Sequence, residues 1–353
     1  MDIYCERIIA DVIRGYPFIV GDGDINLLVF TAENSEAEFL KEVTSSLTKS
    51  TDILLTDKRA SALVVERLPQ GLYTIPHSLA NKKSLDDNKM HIADFRKQNA
   101  QIYKQIVILL KHAELLPAAL IVQIDEVEKE SLINKYKILS TNIKQLQEYS
   151  KNVNLQFECF VEAPLTLYNA QEAKIIGYRS RNNGKTHYAI IVGELGRTPL
   201  LRMHSSCFTG DLLGSLKCDC GQQLQNSLKY MAAHGGGVVI YLSQEGRGIG
   251  LASKLRTYGL QSKGLDTVEA NEFLGYENDE RSFLPAYKIM QDLQISRLRL
   301  ISNNPRKADD LKSNGFIVEE MVHLQSEINS HNIDYLKTKA TKSNHKINLK
   351  NNE

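Results

Sequence analysis

Cys207, Cys218 and Cys220 fall within fourteen residues, in the run HSSCFTGDLLGSLKCDCGQQL. Thiols at this density point to metal-ligand chemistry; a disulfide framework would pair its cysteines and spread them along the chain. Cys218 and Cys220 flank one aspartate and can reach a single ion from one turn, and Cys207 can return to it across a glycine-containing loop. Zinc is satisfied by such thiolates, and three protein ligands leave the fourth position for a water whose pKa falls to about 7. Spacing alone leaves two other readings open: a closed structural site completed by His204 or His234, and three unrelated buried thiols. The His-x-Glu paired with Cys-x-x-Cys of base deaminases does not occur.

A second chemical signal lies in VVIYLSQEGRGIGLASKL, where a buried strand, a loop with Gly246, Gly248 and Gly250, and a helix follow one another. Glycines let backbone amides approach a phosphate, and a helix N-terminus adds partial positive charge. A dinucleotide-binding fold competes, since Asp266 lies about twenty residues on. That fold needs G-x-G-x-x-G, whereas this loop reads G-x-G-x-G and carries Glu245 and Arg247. Downstream, DTVEANEFLG reads singly as an amphipathic segment, Asp279-Glu280-Arg281 as an exposed charge triplet, and ISNNPRK as a strand ending in an Asn-Pro turn. Beside the cysteines they form one constellation.

The elements that must position these residues are legible from periodicity. Residues 1–33 predict a helix in ERIIADVIRGY, a strand in PFIV, a turn at Gly21-Asp22-Gly23-Asp24 and a strand in INLLVFTAE. Residues 52–56 and 118–124 are strand-length apolar runs, 91–115 have helical periodicity, and 126–151 read as one amphipathic helix. Residues 155–203 alternate apolar and polar, with turn signals at Asn182-Asn183-Gly184 and Gly193, which predicts antiparallel strands. From residue 221 helices alternate with strands: QQLQNSLKYMAAH, GVVIYLS, LASKLRTYGLQSKG, LPAYKIMQDLQ, RLRLIS and KADDLKSNG. No internal repeat is evident, and the Lys- and Asn-rich end reads as a solvated tail.

Bulk properties exclude some functions. At 353 residues the chain predicts two α/β domains, joined near the polar KNVN. With 43 basic against 42 acidic residues it lacks the surplus of a nucleic-acid binder, although a small anion needs only a local basic cluster. No apolar run is long enough for a membrane span and no secretory leader is evident, so a cytoplasmic protein is expected.

From about Glu158 to Lys342 the sequence resembles GTP cyclohydrolase II. The likeness is carried by RMHSSC, TGDLLGSLKCDCG, QEGRGIGL, DTVEAN, DERSF, NNPRK and YLKTKATK, in that order. The resemblance implies an α/β (α+β) protein whose C-terminal domain is a mixed sheet with flanking helices. It also implies a zinc enzyme, one Zn2+ per chain, usually a homodimer and also needing Mg2+. Such an enzyme converts GTP to formate, pyrophosphate and 2,5-diamino-6-ribosylamino-4(3H)-pyrimidinone 5′-phosphate, the first step of riboflavin biosynthesis. Carried over by position, Cys207, Cys218 and Cys220 would hold zinc. Arg202, Met203, His204, Ser205, Ser206, Gln223, Glu245, Gly246, Arg247, Thr267, Ser302 and Lys307 would contact GTP. Tyr258, Asp279 and Arg281 would serve the reaction, Arg281 as nucleophile toward the α-phosphate with Asp279 as proton acceptor. A guanidinium is a demanding nucleophile, so an electrostatic clamp on the leaving pyrophosphate is the physical alternative. Two positions depart from the common pattern: Ser206 replaces an acidic or amide residue, and Ser302 replaces a threonine.

The first half resembles 3,4-dihydroxy-2-butanone 4-phosphate synthase faintly, in IADVIRGYPFIV…LLVFTAE and LLPAALIVQI…TNIKQLQEY. Its chemistry-bearing residues are missing. The acidic, magnesium-binding run is shortened to Gly21–Asp24, the late-strand carboxylate is Gln123, and neither Arg-His-Thr nor His-Thr-Glu occurs. The expected organisation is therefore a non-catalytic domain over 1–152, kept for structure, dimerisation or regulation, an enzyme domain over 153–345, and a tail over 346–353. One rival function is a GTP-binding regulator without turnover, which the presence of Asp279, Arg281 and all three cysteines argues against. Another is a partner protein acting only through the first domain.

Overall fold

A computed structural model describes residues 3–333 apart from 35–37, 46, 48, 65, 80–89, 154–155 and 331. The expected tail and the run YLKTKATK lie outside the described residues. The chain divides into two compact units, one drawn from Met1–Val153 and Gly248–Glu280, the other from Asn154–Arg247 and Arg281–Glu353. A division near residue 153 was expected. The allocation of Gly248–Glu280 to the first unit was not, and it departs from a single enzyme domain over 153–345.

The first unit holds a seven-stranded sheet built from β1 (Phe18–Asp22), β2 (Ile25–Thr31), β3 (Asp52–Thr56), β4 (Leu72–Pro76), β5 (Arg96–Gln98), β6 (Ala118–Ile124) and β7 (Leu139–Asn142). Its spatial order is β5-β4-β3-β6-β2-β1-β7, with every pairing antiparallel except β1 with β7. Successive side chains of a strand point to opposite faces. Accordingly Leu27 and Val29 join a core with Ile8, Ile106 and Leu146, while Leu28 and Phe30 join a core with Val43 and Leu132. Both faces are covered, which explains why INLLVFT is an unbroken apolar run instead of an alternating one. Two helix expectations need correction. Within 91–115 only Gln101–His112 is α-helical, and Arg96–Gln98 pairs as β5. Residues 126–151 are two helices, Glu126–Tyr136 and Ile143–Asn152, separated by left-handed Lys137 (φ 58°) and by β7. Asn142 ends β7 and caps the second helix by accepting from Gln145 N–H, so one side chain stops the strand and starts the helix.

The second unit holds β8 (Phe157–Leu167), β9 (Ala170–Ser180), β10 (Thr186–Val192), β11 (Leu200–Ser205), β12 (Gly237–Leu242), β13 (Arg297–Ile301) and β14 (Ile317–Val322). Their order is β14-β13-β11-β12-β10-β9-β8. Strands β8 to β10 and the β10–β12 pair are antiparallel, as expected for the alternating stretch. Strand β11 is the exception to that expectation, because it runs parallel to both β12 and β13. The parallel set therefore has its carboxyl ends together, where open α/β sheets bind ligands. Helices Cys220–Ala233, Leu284–Asp292 and Pro305–Ser313 supply Leu228 and Met231, Ile289 and Met290, and Leu311 to the cores on the two faces. No helix among the described residues is long and apolar enough to cross a membrane.

Candidate active site

Cys207 directly follows β11 and opens a wide turn, Phe208–Leu212, in which Gly210 N–H donates to its Sγ at 3.3 Å. Cys218 lies in the loop before helix Cys220–Ala233, and Cys220 is that helix's first residue, where the helix dipole favours a thiolate. The three Sγ atoms lie within 4.8 Å of one another, with Cys207 and Cys218 at 3.7 Å. Tetrahedral zinc with bonds of about 2.3 Å separates its sulfurs by about 3.8 Å, so the donor set fits such an ion. The shared hydrogen bond with Cys207 pushes the Cys218 thiol up, and a bound dication would reverse that preference. Two glycines make the approach possible. A Cβ on Gly210 would stand 2.8 Å from Cys218 Sγ, and one on Gly221 would stand 2.3 Å from Gly210 O.

The two histidines left open as fourth ligand are otherwise engaged. His234 stacks on Tyr230, with Nδ1 2.8 Å from the Tyr230 carbonyl. His204 is buried, its Nδ1 3.5 Å from Arg202 Nε–H and its Nε2 3.1 Å from Asp211 Oδ2. Since Arg202 can only donate, the Nε2 proton faces Asp211. Burial holds the His204 pKa below its ordinary value. Among the described residues no His, Asp or Glu joins the three thiols.

Sequence reasoning missed Asp211. Its Oδ2 accepts from Cys207 N–H at 2.9 Å and from the Tyr241 hydroxyl at 2.9 Å, besides facing His204. One carboxylate thus fixes the start of the metal turn and the last part of β11 and β12. In sequence it looks like the turn-forming aspartate of a Thr-Gly-Asp run, because its partners meet only in the fold. His187 was missed for the same reason: its Nδ1 accepts Ser243 N–H at 3.1 Å and so holds the first residue after β12. Burial pushes this imidazole down to about 4.

The expected GTP contacts gather at the carboxyl ends of β11, β12 and β13. Arg202 is buried and donates to Gln223 at 2.5 Å, and Gln223 donates in turn to buried Asp219. The Met203 carbonyl accepts from Lys307 Nζ at 2.9 Å. Ser205 Oγ is buried without a partner, whereas Ser206 Oγ accepts Gln244 N–H at 3.2 Å and ties β11 to the glycine loop. Glu245 Oε2 accepts Phe208 N–H at 2.6 Å, which links that loop to the metal turn. Gly246 and Arg247 are both left-handed, at φ 61° and 63°. For Arg247 this costs on the order of 1 kcal/mol, a strain typical of functional loops. Ser302 follows β13 and accepts Asn304 N–H at 3.1 Å. The Arg281 guanidinium and Lys307 Nζ lie 5.4 and 5.2 Å from the Phe283 ring centre.

Three expected residues belong to the first unit. Tyr258 lies on helix Gly250–Gln261, with Lys254 Nζ 5.7 Å from its ring centre. Thr267 begins helix Thr267–Phe273, and its hydroxyl accepts from Gln261 at 2.8 Å. Asp279 lies next to the last residue of Gly248–Glu280. The helix expected to follow the glycine loop is likewise part of the first unit.

Comparison with known proteins agrees with this picture. The family model for GTP cyclohydrolase II matches residues 158–323. A protein of Azospirillum brasilense named GTP cyclohydrolase-2 is 42% identical over 243 residues, 68% of this chain and 63% of that one. A GTP cyclohydrolase-2 of Xylella fastidiosa strain 9a5c is 31% identical over 354 residues, 98% of this chain and 88% of that one. The chain spans 45% to 63% of the length of several other curated relatives it matches, the Azospirillum protein among them. A crystal structure of RibBX, a two-domain 3,4-dihydroxy-2-butanone 4-phosphate synthase from A. baumannii, covers 92% of this chain and 99% of its own at 16% identity, with a TM-score of 0.31. With near-full-length identity to the Xylella protein and the family's ordered motifs around three clustered thiols, the chain belongs to the GTP cyclohydrolase II family.

Proposed function

We propose that the protein hydrolyses GTP to formate, pyrophosphate and 2,5-diamino-6-ribosylamino-4(3H)-pyrimidinone 5′-phosphate, the entry step of riboflavin synthesis. The observation that carries this reading is the three-thiol cluster, without a fourth protein ligand among the described residues, beside basic side chains at the carboxyl ends of β11 to β13. Cys207, Cys218 and Cys220 would hold zinc, which supplies a Lewis acid and lowers the pKa of a bound water to about 7. Glu245 would accept from guanine N1–H and the 2-amino group, which adenine cannot offer. A carboxylate has about four acceptor positions, so this is compatible with the hydrogen bonds it already receives. Arg202, Arg247 and Lys307, with Mg2+, would offset the triphosphate charge. Ser205 Oγ, buried and unpartnered, suits a polar ligand atom. Arg281 would act at the α-phosphate: an N–P bond forms, the P–O bond to pyrophosphate breaks, and the guanidinium proton passes to Asp279. Tyr258 and Thr267 complete the set. The protein would work in the cytoplasm as a homodimer.

The test is incubation of purified protein with GTP or ATP in the presence of zinc and magnesium, with formate and pyrophosphate quantified. Both products are expected from GTP alone, since a site built to hydrogen-bond one edge rejects the wrong base by about 10⁴-fold or more. Equal turnover of ATP, or no formate from either nucleotide, would refute the reading.

A further inference from the structure

The segment Gly248–Glu280 contains Tyr258, Thr267 and Asp279, yet it packs with the first 153 residues as one compact unit. The contacts are specific. Glu33 takes Arg256 in a bidentate pair at 3.2 and 2.9 Å, and the same carboxylate accepts Leu116 N–H at 2.9 Å. Lys111 Nζ meets Glu280 Oε1 at 2.5 Å, and that oxygen also accepts Glu277 N–H at 2.9 Å, closing the turn that holds Asp279. Lys58 pairs with Glu272 at 3.1 Å, and Arg59 donates to the Phe273 carbonyl at 3.0 Å while lying 4.5 Å over the Phe273 ring. Buried Thr56 donates to Gly275 O at 2.9 Å. Tyr276, fully buried, donates to Leu115 O at 2.9 Å and meets Ser253 Oγ at 2.9 Å. Backbone also comes close. Gly275 has φ 96°, and a Cβ there would stand 2.9 Å from Thr56 Oγ1.

These anchors share one edge of the first sheet. Thr56 ends β3, Glu33 lies just past β2, and Leu115 and Leu116 precede β6, so the antiparallel register brings all of them to the same side. The shortened acidic run at the β1–β2 turn lies at the opposite end of β2. The edge that grips the segment is therefore separate from the edge where the missing chemistry would have been.

We propose that the first half of the chain, stripped of its own chemistry, is the framework that positions the reactive segment of the enzyme, with Glu33 and Lys111 as positioning residues for Tyr258 and Asp279. This rests on the functional reading above. Long, partly buried ion pairs suit the task, because each fixes a direction as well as a distance.

The test uses the full chain loaded with zinc. Lys111→Glu and Glu33→Arg are each combined with their reversed partners, Glu280→Lys and Arg256→Glu. Misplacement of a reacting group by about 1 Å costs up to about 10²-fold, so each single variant is expected to lower kcat by about 10- to 100-fold. Each should leave metal content unchanged and speed amide hydrogen exchange within 253–280. Each swapped pair is expected to recover both kcat and exchange protection. Single variants that leave kcat and exchange untouched, or swapped pairs that recover neither, would overturn the proposal. If the unmodified protein releases no formate, the functional reading fails, while the exchange rates still decide whether the first half holds the segment.

Discussion

Each unit is organised on a seven-stranded sheet, and the sheets present their strand ends differently. In the second unit β11, β12 and β13 are parallel, and their carboxyl ends deliver Arg202 to Ser206, Ser243 to Arg247, and Ser302 to one side. In the first unit β2, β6 and β3 alternate in direction, so each edge mixes strand starts with strand ends. There the shortened Gly21–Asp24 turn leaves Asp24 exposed, and Gln123 is an exposed amide. An edge where several carboxyl termini converge gathers backbone donors and adjacent side chains around a ligand. An antiparallel sheet that has lost its acidic side chains is left with a packed core and a rim, and a rim can still hold another segment.

Substitutions can break or sharpen this contrast. The largest effect is expected from Cys218→Ser, which should abolish formate release and strip the metal, as metal analysis and product assay would show. Its counterpart in the first unit, Gln123→Ala, should change turnover by no more than about twofold, the scale of a neutral surface change. A large loss with Gln123→Ala would mean that the first unit has chemistry of its own.

Next comes Arg281. Arg281→Ala should slow pyrophosphate release by about 10²- to 10³-fold, as loss of a transition-state donor does. If Arg281 is the nucleophile, intact-mass measurement after rapid mixing with GTP shows an added GMP on the unmodified protein, and Arg281→Lys releases no pyrophosphate. A clamp gives no adduct and leaves measurable release in the lysine variant, because the charge survives. Normal release from Arg281→Ala would remove both roles.

A smaller effect is expected from Asp211→Asn. Three donors converge on this carboxylate, and an amide nitrogen would oppose one of them. Metal affinity should fall by about 10- to 100-fold, as for other groups that orient metal ligands, and a competing chelator would measure it. Unchanged affinity would mean that the Cys207 turn does not depend on Asp211.

The smallest effect at neutral pH concerns His187. Folded, it titrates at about 4, against an ordinary value of 6.5, so the unfolded chain takes up the proton first as pH falls. Its contribution is complete above about pH 6.5 and is lost as pH drops toward 4, by about 3 kcal/mol in all. Thermal unfolding across that range should show this slope, and His187→Gln should flatten it.

Much of the site was legible because its chemistry is local in sequence. Three thiols in fourteen residues declare themselves, as do the strand, glycine loop and helix of 238–261. The relay through Asp211 was not legible, since its partners His204 and Tyr241 lie on separate strands. Strand β7 was hidden because LSTN is polar and sits inside a charged run with helical spacing. The allegiance of Gly248–Glu280 was hidden for a related reason. Periodicity shows that a helix has an apolar face, but the partners that anchor this segment, Glu33, Lys58 and Lys111, lie more than a hundred residues away. Parallel pairing of β11 was unreadable from alternation alone, which is the same for either strand direction.

The central claim is that GTP ring opening depends on the ion held by Cys207, Cys218 and Cys220. Formate release measured while zinc is titrated into metal-free protein tests it most directly. The account predicts a rate that rises in proportion to bound zinc and saturates at one ion per chain. A full rate from metal-free protein, or none from protein holding one zinc, would contradict it.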